Sequence, residues 1–123
     1  MYSKKVLEHF VSPQNMGELE KPSGVGEVGN PTCGDMMRLY IDVEDNVIKD
    51  IKFKTYGCGA AIASTSALTV IVKGKTIEEA LKLDKKDVVE FLGELPAQKV
   101  HCSVLAIDAL KEAIENWKEN QEK

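Results

Sequence analysis

No stretch of the 123 residues approaches the run of about 18 apolar residues that a membrane-spanning helix needs. The opening segment, MYSKKVLEHFVS, carries charge at both ends and lacks the apolar core of a secretory signal. A cytoplasmic protein without membrane attachment is the expectation. Basic residues are outnumbered, 16 Lys and Arg against 20 Asp and Glu, for a net charge of −4. That balance withholds the electrostatic footprint of a nucleic-acid binder. The small lysine cluster at Lys49, Lys52 and Lys54 reads as the solvated face of a strand. Internal repeats and linker-like tracts are missing too, so one domain spanning 1–123 is expected, long enough to bury a core without disulfides. Cysteine is scarce and its count is odd. Three thiols cannot form a closed disulfide framework without leaving one over. In a reducing compartment such thiols are more often metal ligands or catalysts than bridges.

What is present follows two hydrophobic periods. Ser3 can cap a short helix whose apolar face is Val6, Leu7, Phe10 and Val11, and Pro13 blocks its continuation. The stretch from Asn15 to Gly29 is rich in Gly, Pro and acids and reads as an extended lead-in, with a third strand near Val25 to Val28. Met37, Leu39, Ile41 and Val43 then alternate with Arg38, Tyr40 and Asp42, the pattern of a half-buried strand. After the turn EDN, Ile51, Phe53 and Thr55 alternate with Lys52 and Lys54, which predicts a hairpin from Met37 to Tyr56.

Beyond YGCG the pattern becomes helical. Small apolar residues from Ala60 to Val72 predict a helix ended by Gly74. Thr76 and Glu79 form a capping box for a short helix. Asp84 can cap another that carries Val88, Val89 and Leu92. GELPAQK reads as a loop. A last helix is predicted from Cys102 or Ser103 to about Glu119, with Leu105, Ile107, Leu110, Ala113, Ile114 and Trp117 on its apolar face. Strands followed by helices predict an α+β fold, a small antiparallel three-stranded sheet with helices packed on one face and a long C-terminal helix.

All three thiols fall at element boundaries. Cys33 precedes the first hairpin strand, Cys58 follows the second, and Cys102 opens the last helix. An antiparallel pair brings the Cys33 and Cys58 ends together, and a helix packing back over the sheet can deliver Cys102 there. Unpaired N–H groups at a helix start favour a thiolate. Gly34, Gly57 and Gly59 allow close approach of the backbone to a ligand. Asp35 and His101 add a carboxylate and an imidazole. The set is three thiolates plus one oxygen or nitrogen donor. Taken singly, each residue also has a plain role: a free cysteine as a small buried hydrophobe, Asp35 as a turn residue, His101 as a cap. It is the joint placement at loop-to-element junctions that points to a metal or cluster site.

Three segments, GNPTCGDMMRLYI, IKFKTYGCGAAIASTSA and HCSVLAIDALKEAI, resemble the NifU/IscU family of iron–sulfur cluster assembly scaffolds, and the likeness begins at YSKKVLEHFVSPQNMGELE. No long insertion separates Cys58 from Cys102, as in the IscU type and the N-terminal domain of NifU. The resemblance implies a scaffold or carrier rather than an enzyme with turnover. Such a scaffold receives sulfur from a cysteine desulfurase of the IscS/NifS kind, combines it with iron, builds a transient [2Fe–2S] cluster and passes it to apo-proteins. It implies Cys33, Cys58 and Cys102 as ligands, Asp35 and His101 at the same site, and zinc as an alternative occupant; the helix start and neighbouring His101 make Cys102 the expected sulfur acceptor. It leaves open a monomer or a dimer. Handling by a DnaK-type chaperone goes with a family motif LPPVK, which here is LPAQK, and a Glu usual in the helix after Cys58 is here Val70. A structural zinc domain and a thiol sulfurtransferase are the competing readings of the same residues.

Overall fold

The computed structural model describes residues 4–30, 35–56, 59–93 and 100–121. Strands β1 (Gly24–Asn30), β2 (Asp35–Glu44) and β3 (Val47–Tyr56) form one antiparallel sheet in the order β1-β2-β3. The turn between β2 and β3 rests on Asp45 and Asn46, both with positive φ, 54° and 66°. Two such residues match the right-handed strand twist, which is why Asp and Asn suit this two-residue loop. The ladder pairs Leu39 with Phe53 and Ile41 with Ile51, and shifts register between Asp42 and Val43.

Met37, Leu39, Ile41, Ile51 and Phe53 are fully buried on one face. Helices α2 (Gly59–Val72), α4 (Lys85–Leu92) and α5 (Val100–Gln121) supply the matching core residues, among them Leu68, Val72, Val88, Leu92, Leu110 and Ile114. The α+β reading with helices on one face is what the fold has. The short α3 (Ile77–Leu81) begins with the expected capping box between Thr76 and Glu79. The last helix starts at Val100, earlier than its apolar pattern suggested, so Cys102 lies within the first turn rather than opening it. Ser3, proposed as a cap, and most of the GELPAQK loop lie outside the described residues.

Helix α1 (Lys4–Val11) departs from its periodic reading. Leu7 and Val11, assigned to its buried face, are 48% and 78% exposed, whereas His9 is buried. The reason is a specific polar contact. His9 Nδ1 lies 2.7 Å from Ser66 Oγ of α2, and the His9 ring packs edge-on against Phe91 of α4. The same Ser66 oxygen accepts the Gln14 N–H at 2.8 Å, and Asn15 Nδ2 donates to Thr69 Oγ1 at 3.0 Å. Buried polar groups must be bonded, and the STSALT stretch of α2 meets that need for the chain leaving α1.

The lead-in then acts as a strap. Asn15 and Gly17 exchange backbone bonds with Phe53 of β3, Glu18 pairs with Lys54 on the outer face, and Ser23 bonds the Ile41 carbonyl on β2. On β2, Tyr40 points away from the helices and is nevertheless buried, with the Arg38 guanidinium 5.3 Å from its ring centroid.

Candidate metal and cluster site

One end of the sheet gathers the segments that carry the thiols. Asn30 pairs with Asp35 across β1 and β2, and Met36 pairs with Tyr56 across β2 and β3. The residues flanking the Cys33 loop and the residue leading to Cys58 therefore share one edge of the ladder. Helix α2 starts at Gly59, three residues after Tyr56, and returns antiparallel to β3. Its far end is pinned at the opposite end of the sheet, where Gly74 N–H donates to the Ile48 carbonyl at 2.8 Å and Lys73 lies 3.5 Å from Asp50.

Helix α5 reaches the same end by packing along β1. A Cβ at Gly24 would meet Ala113 and Trp117, and one at Gly26 would meet Ala109 and Ala113, so the helix runs antiparallel to the strand. From Gly26 to Asn30 is four strand residues, about 13 Å. About nine helical residues cover that distance at 1.5 Å each. Counting back from the Ala109–Ala113 level, Asn30 stands level with the first turn, which holds His101 and Cys102. Backbone placement thus brings Asp35, His101 and Cys102 to one end of the fold. Cys33 and Cys58 lie outside the described residues.

Chemically, this end presents two helix N-termini. Each carries unpaired N–H groups and a partial positive charge that favour an anionic occupant. Among the described residues no separate group of three His, Cys, Asp or Glu side chains is disposed to hold a metal. The shifted carboxylates lie elsewhere. The Glu79 carboxyl is held below its ordinary value by hydrogen bonds from the backbone and hydroxyl of Thr76. That of Glu18 is lowered by the hydrogen bond and charge of Lys54. A groove of about 710 Å³ between α1 and α2 is lined by Leu7, Val11, Gln14 and Val70. Val70 is eleven residues along α2 from Gly59, about 16 Å, so the groove is not part of this end. The buried Ser66 and Thr69 network is a structural feature that the periodicity missed, and its signal was the polar run inside an otherwise apolar helix.

The chain matches the family model of the NifU-like N terminal domain over residues 1–123. It is 59% identical over 117 residues to the iron-sulfur cluster assembly scaffold protein IscU 1 of Archaeoglobus fulgidus, covering 95% of this chain and 76% of that one. It is 53% identical over 124 residues to the iron-sulfur cluster assembly scaffold protein IscU of Haemophilus influenzae, covering 98% of each. Its backbone also resembles the crystal structure of a nitrogen-fixing NifU-like protein (N-terminal) from Brucella abortus. The TM-score there is 0.77 at 22% identity, over 95% of this chain and 94% of that one, a likeness of fold alone.

Proposed function

Because the chain belongs to the NifU-like N-terminal-domain family, we infer that it is a scaffold for iron–sulfur cluster assembly, the role named for its relatives from Archaeoglobus and Haemophilus. The cluster is cargo, built here and handed on to apo-proteins, and the chain is a carrier without catalytic turnover. The observation that carries this reading is the convergence of the Asp35 end of β2, the Tyr56 end of β3 and the first turn of α5 on one end of the sheet.

The proposed ligands are Cys33, Cys58 and Cys102, with Asp35 or His101 completing the set. A [2Fe–2S] cluster is normally held by four thiolates, and this chain has three. A carboxylate or imidazole in the fourth position is a poorer match to the cluster irons and suits release over storage. Two ferric ions, two sulfides and three thiolates sum to −1, or −2 with a carboxylate. The N-termini of α2 and α5 complement that charge. Zinc fits the same donor set, as a tetrahedral ion on thiolate, imidazole or carboxylate. Sulfur is proposed to come from a cysteine desulfurase and to enter at Cys102. No helix among the described residues is long and apolar enough to cross a membrane.

Anaerobic reconstitution of the full chain with iron, cysteine and a desulfurase, read by visible absorption and by iron and sulfide content, tests this. The expected product is coloured and holds iron and sulfide in equal amounts, and Cys33→Ser, Cys58→Ser and Cys102→Ser each bleach it. A protein that stays colourless and takes up only zinc would contradict the scaffold reading.

A further inference from the structure

β1 is one of the two outer strands of the sheet, and its backbone shows which residues face outward. In an antiparallel ladder one residue turns both N–H and C=O toward its neighbour strand, and the next turns both away. Val25 sets the phase, because its N–H donates to Asn116 Oδ1 of α5 at 3.0 Å, outside the ladder. The register runs unbroken from Gly24 to Asn30. Glu27 and Gly29 therefore turn the same way as Val25. Both are exposed, and among the described residues neither has a backbone partner on that side.

Helix α5 borders this open edge. Asn116 reaches Val25, and Asn120 Nδ2 donates to the Ser23 carbonyl at 3.1 Å, so these two residues close the beginning of the strand. The same helical stripe, continued by four and eight residues, holds Glu112 and Asp108, both exposed. Glu112 stands beside β1, since its Cβ lies 2.9 Å from where a Cβ on Gly26 would be. Where the asparagines stop, the edge is thus bordered by carboxylates: Glu112 and Asp108 on the helix, and Glu27 on the strand itself. Arg38 answers Glu27 only through an exposed contact of 3.7 Å, which is worth little in water.

We propose that the Glu27–Gly29 edge of β1 is a docking site for an extended, basic segment of a partner protein, which adds to the sheet as a fourth strand. Main-chain bonds to Glu27 and Gly29 supply the attachment, and alternate lysines or arginines meet Glu112 and Asp108. Charge decides the occupant. A second copy of this chain adding by its own β1 would set Glu27, Asp108 and Glu112 against their equivalents, and like charges across a strand pair are destabilising. The net charge of −4 acts in the same direction. The site stands independently of the cluster reading, although the edge runs toward Asn30 and would deliver a docked segment close to the Asp35 end of the fold.

The test uses the full, cluster-free, ¹⁵N-labelled chain and a synthetic seven-residue peptide of alternating lysine and threonine, with a glutamate–threonine peptide as control. At saturation with the basic peptide, amide exchange at Glu27 and Gly29 should slow by about tenfold or more. Gly26 and Val28, already bonded to β2, should change little. The control peptide should protect neither pair. Replacing both Asp108→Lys and Glu112→Lys, at exposed positions that leave the core intact, should weaken the basic peptide by about tenfold and permit binding of the acidic one. Gly29→Pro, which removes an outward N–H, should weaken both. Unchanged exchange at Glu27 and Gly29 under the basic peptide would overturn the proposal. So would protection of these amides that rises with protein concentration in the absence of peptide, since that identifies a second copy as the occupant.

Discussion

Gly26 lies so close to the carbonyl of Ala109 that a Cβ added to it would sit 2.1 Å from that oxygen. The neighbour is helix backbone, which cannot swing aside as a flexible side chain would. Gly26→Ala must therefore lift α5 from β1, and overpacking of this kind costs about 1–3 kcal/mol. Chemical denaturation should show the loss. Because the first turn of α5 is positioned by this contact, the variant should also assemble less cluster under conditions where it is still folded. A variant with parental stability would mean that α5 is not seated on β1 as described.

Ser66 serves two partners, the buried His9 through Nδ1 at 2.7 Å and the part-buried Gln14 N–H at 2.8 Å. Ser66→Ala removes the bond to the buried His9 together with the acceptor of the Gln14 N–H, at a cost of about 1–3 kcal/mol. The loss should be local as well as global. Limited proteolysis between α1 and the strap should accelerate in the variant, with cleavage near Pro13 to Gly17, while the β2–β3 hairpin keeps its amide protection.

Acid sensitivity should trace in part to Glu79. Its folded carboxyl is held below the ordinary value of 4.5 by the Thr76 backbone and hydroxyl. A lowered folded value means that the contribution is fully present above about pH 4.5 and fades as the pH falls through the lower, folded value. Glu79→Gln keeps an oxygen acceptor for the cap and removes the titration. Its unfolding midpoint should fall less steeply than the parent's between about pH 5 and 3. The remaining slope belongs to other carboxylates, Glu18 beside Lys54 among them.

Asp35 begins β2 opposite Asn30 and follows Gly34 in the chain. In the proposed ligand set it would leave by protonation or by exchange with a thiol of the acceptor protein. Asp35→Ala should then hold an assembled cluster longer and transfer it more slowly to an apo-ferredoxin. Faster cluster loss with undiminished transfer in the variant would refute this gate, and lower stability with unchanged transfer at equal cluster loading would make Asp35 a structural turn residue.

Cys102 sits in the first turn of α5, beside His101, and a helix N-terminus favours a thiolate. Its thiolate would attack the outer sulfur of the desulfurase persulfide. The donor's S–S bond breaks, the donor leaves as a thiolate, and a new S–S bond forms at Cys102. Mass mapping after brief desulfurase treatment should find the added sulfur mainly on Cys102. Labelling chiefly at Cys33 or Cys58 would contradict this assignment.

The sequence by itself determined the local elements. Alternation in MRLYIDV and IKFKT, the Asp45–Asn46 turn and the Thr76–Glu79 box each depend on neighbours a few residues apart, so pattern alone located them. The α+β order and the strand and helix ends flanking Cys33 and Cys58 were legible for the same reason, whereas α5 begins two residues before Cys102. Tertiary structure decided what depends on distant partners. Leu7 and Val11 fit an apolar stripe yet face water, because Ser66, 57 residues from His9, offers the bond that turns His9 inward. Tyr40 alternates outward and is still buried, which the period of its own strand does not encode. Gly24 falls in the extended lead-in and Gly26 in the strand read near Val25 to Val28, and only their contact with Ala109 and Ala113 reveals that they seat α5 along β1. That seating aligns the start of α5 with Asp35. No local period encodes it, since it rests on how closely two backbones approach when no Cβ stands between them.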